Sequence, residues 1–129
     1  MEAFEGLAAI ALEILEEMPE PVVQVCGPIT NGGLGSVEKN LAKIGEAIRK
    51  LEAEGKNVFS QLPFEGVMHR IKETPYYRGE NHLLEAFYLP IFESGLVKTL
   101  YFVEGWESSY GACWEHGQAF KLNLGVEYL

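Results

Sequence analysis

The chain contains no aspartate: all nineteen of its acidic residues are glutamates. A Ser-His-Asp triad cannot be built without one, and no glutamate presents itself clearly in its place. Basic residues are few. Ten Lys and Arg against nineteen Glu leave a net charge of −9, which opposes binding to long nucleic acid, because that needs clustered cations to neutralise phosphates. A single phosphate stays compatible, since backbone amides at a helix N-terminus hold one without net basicity. The two cysteines, Cys26 and Cys113, are no disulfide framework and read as small buried hydrophobes in a reducing compartment. No apolar run reaches membrane-spanning length, because Glu13 interrupts the longest candidate, and the opening segment has neither the basic start nor the cleavage site of a secretory signal. A cytoplasmic location with no membrane partner is the expectation. His69, His82 and His116 fall in three different elements without ligand spacing, so neither a metal nor a cofactor is expected. The glycines miss the GxGxxG spacing of a dinucleotide-binding turn, and a Walker loop is absent.

What is present is a chain of 129 residues with a 47% hydrophobic share, enough for one core and too little for two. It reads as a single domain, 1–129, whose first twenty residues form an accessory helix. Phe4, Leu7, Ala8, Ala11, Leu12, Leu15 and Met18 recur at helical spacing until "PEP" at 19–21 stops them. "VVQVCG" from Val22 is a strand, followed by the glycine-rich loop "PITNGGLG". Ser36 caps a helix that stops at Gly55, and "NVFSQLP" is a short buried strand. The pattern is mixed from Phe64 to Tyr77. "HLLEAFYLPIFESG" is helical in period, although Pro90 must kink or divide it. "VKTLYFVEG" is a third strand, "SYGACWEHGQAFKLN" a last long helix and "GVEYL" a final strand. Strands alternating with helices predict right-handed crossovers and a small Rossmann-like, flavodoxin-like three-layer α/β domain with a parallel sheet and an extra N-terminal helix.

In such a sheet, ligands bind at the carboxyl ends of the strands. "GPITNGG", "SQLPFE" and "EGWESSYG" should gather there, bringing Gly27, Thr30, Asn31, Gly32, Gly33, Gln61, Trp106, Ser108, Ser109 and Gly111. The glycines permit the close backbone approach of an anion-cradling turn, and equally make an ordinary flexible one. Ser108 or Ser109 should cap the last helix and leave its first-turn amides open to an anion. On that helix Glu115 shares a stripe with Ala112 and Ala119, where a solvated acid would be out of place. Gly111 lies one turn before it and opens space over the carboxyl. A phosphate at the helix start and a reacting carbon near Glu115 would be roughly 9 Å apart at 1.5 Å per residue. The other reading leaves Glu115 half exposed at a stripe edge.

"VVQVCGPITNGG" and "GWESSYGACWEHGQAFKLNLG" together resemble the nucleoside 2-deoxyribosyltransferase superfamily, which includes deoxynucleoside 5′-monophosphate N-glycosidases; the resemblance runs from about Val22 to Leu129. It rests on an S-x-G-x-x-x-E arrangement. What it implies is an N-glycosidase or deoxyribosyltransferase, a hydrolase or transferase acting on a nucleoside or its 5′-monophosphate. Glu115 would be the nucleophile on the anomeric carbon, and Ser109 a phosphate or sugar ligand. The family carries a tyrosine where this chain has Gln24, and an aspartate near Pro90 that protonates the leaving base; on that helix Glu85 and Glu93 are the acids available here. Trp106, Tyr110 and His82 could contact the base or simply pack. A non-catalytic nucleotide or nucleotide-sugar binding module is the alternative. The family habit of symmetric assembly, with an N-terminal helix whose apolar stripe needs cover, implies a homo-oligomer.

Overall fold

The computed structural model describes residues 3–30 and 32–129. Strands β1 (Val22–Cys26), β2 (Asn57–Val58), β3 (Val97–Phe102) and β4 (Gly125–Tyr128) form an all-parallel sheet in the order β2-β1-β3-β4. The order reverses direction between β1 and β3, which makes the carboxyl ends of these two strands the topological switch point. The fold is therefore the small Rossmann-like α/β domain with an N-terminal helix that the periodicity predicts.

Residues of β1 alternate across the sheet, as a pleated strand requires. Val23 and Val25 pack with Ile44, Ile48 and Leu51 of α2 (Val37–Ala53) on one face, while Val22 and Cys26 join the larger core of the other face. Ser36 caps α2, its hydroxyl accepting from the Lys39 amide at 3.1 Å. Strand β2 is shorter than the expected "NVFSQLP". The Phe59 amide still donates to Val23 O at 2.9 Å, but the chain then turns into a 3₁₀ turn, Leu62–Phe64, with Pro63 in it. Beyond that point the Gln61 side chain replaces strand backbone, Nε2 donating to Val25 O at 2.8 Å.

The mixed stretch after Phe64 holds α3 (Glu65–Lys72). Next comes α4, residues 80–93, made of three consecutive helical turns: Glu80–Leu83, a π-helical turn Leu84–Tyr88, and Leu89–Glu93. Pro90 does not end it. A proline has no N–H and its ring crowds the carbonyl one turn back; the widened turn, in which the Leu89 N–H reaches Leu84 O, lets the helix pass through. Helix α5 (Tyr110–Lys121) follows β3, and Ser109 rather than Ser108 caps it, accepting from the Ala112 amide at 3.1 Å.

Helix α1 (Phe4–Glu17) packs against α4, with Phe4, Leu7, Ala8, Ala11 and Leu15 buried. Most of its apolar stripe is thus covered within the chain, which removes the need for a second subunit to cover it. Ile10 and Ile14 remain on its exposed face. Among the described residues, no helix is long and apolar enough to cross a membrane.

Candidate functional site

A cleft of about 580 Å³, counted out to its open mouth, lies at the switch point. Its walls come from the end of β1 (Gly27), the turn after β2 (Gln61), α3 (Glu65), the π-turn of α4 (Leu84, Tyr88) and the start of α5. From α5 and its cap it receives Ser109, Gly111 and Glu115, the last two of which the expected helix places on one side. A Cβ added to Gly111 would meet only Leu84 Cδ2 at 3.8 Å and Ser109 Oγ at 3.9 Å. A side chain there would thus sit in ordinary contact with Leu84 and Ser109, and the glycine relieves no clash.

Glu115 is 6% exposed. Loss of water stabilises the neutral acid, and burial pushes its pKa up to about 8, the hydrogen bond from the Cys26 thiol pulling slightly the other way. Cys26 is itself raised, by burial first and then by the Glu115 charge beside it. The thiol is thus a proton donor to the carboxyl and no nucleophile.

Three further cleft residues carry chemistry. Glu65 is raised by burial, with Lys72 and His69 working in the opposite direction. Tyr88 is raised well above the ordinary phenol range by burial, then by the charges of Glu65, Glu115 and Cys26, so its hydroxyl lies in the field of both carboxyls. Gln61 is 2% exposed; its Nε2 is fixed on Val25 O, while Oε1 has no hydrogen-bond partner. A buried amide oxygen without a donor costs about 1–3 kcal/mol, and this one is closed to solvent even though the residue lines the cleft.

Of the residues expected to gather at the site, Gly27, Thr30, Gln61, Ser109, Gly111 and Glu115 line the cleft. Asn31 lies outside the described residues. Gly32, Gly33 and Ser108 do not line the cleft: they clasp the first loop to the turn before α5. The Ser108 hydroxyl accepts from the Gly33 amide at 2.7 Å and donates to Gly105 O at 2.7 Å. Gly32 and Gly33 both have positive φ, and a Cβ would collide with Ser108 in one case and with Asn40 in the other. Their freedom serves loop packing. Trp106 also lies outside the cleft, stacked on His116 at 4.2 Å between ring centres. Tyr110 is exposed and donates to Asn81 Oδ1 at 2.6 Å, and His82 packs on Phe4 and Tyr77. Glu85 and Glu93 are exposed on α4 and are not brought to the cleft, because the residues of that helix that face the core are Leu84, Phe87, Tyr88, Ile91 and Phe92.

Among the cleft residues that the sequence reading did not single out, Glu65, Lys72, Glu80 and Tyr88 carry titratable groups. Glu65 ends the quoted "SQLPFE", so position after a strand was its one available signal. Tyr88 shares a helical stripe with Leu84 and Ile91 and looks like core from sequence. No family model matches the chain, and no curated protein or solved structure matches it.

Proposed function

We propose that this cleft cleaves the N-glycosidic bond of a nucleoside or nucleoside 5′-monophosphate, with Glu115 at the reacting carbon. The observation that carries the reading is Glu115 itself: a carboxyl removed from water at the carboxyl end of the sheet, in a cleft that Gly111 also lines. Such burial is what tunes a glutamate for catalysis near neutral pH. The resemblance to the deoxyribosyltransferase superfamily supports the same residue. Where that family carries a first-strand tyrosine, this chain has Gln24, and Tyr88 supplies a phenol to the cleft from α4 instead. Ser109 and the first-turn amides of α5 suit a sugar hydroxyl or a phosphate. Assembly through Ile10 and Ile14, 50% and 45% exposed on α1, belongs to this reading; light scattering that gives a monomer at high concentration removes that part.

The test is incubation with a panel of nucleosides and their 5′-monophosphates, followed by chromatography for free base. Wild type releases base, whereas Glu115→Gln binds the same ligand and releases none. Binding by both proteins with release by neither selects the alternative, a nucleotide-sensing module. That alternative draws on the same pKa, since a carboxyl that keeps its proton to about pH 8 offers no attacking charge at neutral pH. If wild type neither binds nor cleaves any of the panel, the ligand class is wrong.

A further inference from the structure

A nucleoside has two ends with different needs: a sugar, and a flat base whose edge carries a fixed order of hydrogen-bond donors and acceptors. Topology decides which wall of the cleft each end meets. Strand β1 lies between β2 and β3 in the sheet. Helix α3 follows β2 and α5 follows β3, and both pack into the same core, through Met68 and Ile71 on one and Ala119 on the other. The two helices therefore wall the cleft from opposite sides of the β1 carboxyl end. With the sugar against Ser109 and Glu115, the base extends towards α3. We infer that Glu65 and Lys72 of α3 read the edge of that base, and that the base they fit is guanine. The inference rests on the N-glycosidic reading for the seat of the sugar and adds what the far wall selects.

Three observations carry it. First, Glu65 and Lys72 both line the cleft. They are the first and last residues of α3, two turns apart, a spacing that returns to the same helix face. Second, neither head is spent on the chain. Among the described residues the ion pair of this helix is His69 with Glu73, 3.2 Å apart on the solvent side, and no side-chain hydrogen bond engages the Glu65 carboxylate or the Lys72 ammonium. Glu80, another carboxyl of the cleft, has instead the Thr30 hydroxyl 3.5 Å from its Oε1. Third, both heads are within reach. The two residues are half-buried, and their polar atoms are not sealed from solvent as Gln61 Oε1 is.

The pair of heads selects a base. A carboxylate only accepts, and its two oxygens suit two parallel N–H bonds; an ammonium only donates. Guanine presents its 2-amino group, N1–H and 6-carbonyl in succession along one edge, so that Glu65 takes the two N–H groups and Lys72 the carbonyl. Hypoxanthine lacks the 2-amino group and gives Glu65 one bond fewer. Adenine in the same seat sets its bare N1 against the carboxylate and its 6-amino group against the ammonium, acceptor facing acceptor and donor facing donor.

The experiment measures base release, and affinity by calorimetry, for deoxyguanosine, deoxyinosine, deoxyadenosine and deoxyguanosine 5′-monophosphate with wild type, Glu65→Gln and Lys72→Met. Wild type should prefer deoxyguanosine to deoxyadenosine by about 10–100-fold, the discrimination that a two-bond contact with a base edge supplies, with deoxyinosine between them. Glu65→Gln has one acceptor and should bring deoxyguanosine down to the level of deoxyinosine. Lys72→Met should weaken those two equally, since each carries the 6-carbonyl, and narrow their lead over deoxyadenosine. Equal treatment of the three bases by wild type overturns the inference, as do variants that lower every nucleoside alike and shift no ratio, the mark of a structural part. Lys72→Met that weakens the monophosphate alone makes that lysine a phosphate contact and also sinks it. Base release without base preference leaves the N-glycosidic reading standing. Preferential binding of deoxyguanosine without release by wild type defeats cleavage and upholds the base assignment, whereas no binding of any of the four defeats both.

Discussion

The two faces of the sheet are built to different rules. On the α2 face, Val23, Val25, Ile44, Ile48, Leu51, Val58 and Val103 form an apolar cluster, with Tyr101 partly buried against it. Even the polar residue buried on α2, Asn40, is satisfied: Oδ1 accepts from Leu34 N at 2.9 Å, and Nδ2 donates to Ile29 O and Gly32 O at 3.1 and 3.2 Å. The opposite face buries Gln24 and Cys26 of β1 together with Tyr88 and Glu115. Gln24 is fully buried, and neither of its amide atoms has a partner. One face is built of apolar side chains and a satisfied amide. The other tolerates desolvated polar groups, each of which is a cost to folding, and the cleft opens on that side.

Breaking this contrast should give its largest effect at Glu115. Its folded pKa of about 8 lies above the ordinary value of 4.5, so the folded chain keeps a proton that the unfolded chain releases. The stability associated with this group is whole below about pH 4.5 and is lost progressively as the pH rises towards about 8. Glu115→Gln removes the titration; it should match wild type at pH 4 and exceed it on the order of 4 kcal/mol at pH 9 in urea unfolding. A pH-independent difference would mean that Glu115 is hydrated. On the apolar face, Ile44→Ala should cost about 2–5 kcal/mol by cavity formation, equally at both pH values, and unfolding at the same two pH values checks it.

Gln24→Met replaces the unpartnered amide with an apolar chain of similar shape. It should stabilise by about 1–3 kcal/mol, read as a rise in the denaturation midpoint; destabilisation would show that the amide has acquired partners such as ordered water. The smallest effect is at Gly111. Since its added Cβ meets nothing closer than 3.8 Å, Gly111→Ala should gain about 0.5–1 kcal/mol from helix propensity. It should also weaken nucleoside binding by filling space above Glu115. Calorimetry on the same protein separates the two effects, and unchanged affinity would move the ligand away from α5.

The alternation of strands and helices was legible because each pattern is local. Apolar spacing reveals α1 and α2, Ser36 and the Ser108–Ser109 pair mark helix starts, and Val22–Cys26 reads as a buried strand from five residues. Glu115 was legible for the same reason, lying between Ala112 and Ala119 on a helical stripe. Periodicity could not reveal which acids face one another across a gap. Glu85 and Glu93 were reasonable candidates on α4, yet the core-facing stripe of that helix turns them to solvent.

By itself, then, the sequence determined the element order and the parallel architecture and singled out Glu115 on α5, since these follow from spacing along one chain segment, while the burial of that carboxyl came from the tertiary structure. Tertiary structure alone decided that Glu65, Gln61 and Tyr88 share a cleft with Glu115, while Gly32, Gly33 and Ser108 clasp a loop. Those outcomes depend on where the π-turn of α4 and the end of β2 lie against the sheet, and on how much water each group loses there. Such long-range juxtaposition and desolvation leave no signature in local residue spacing.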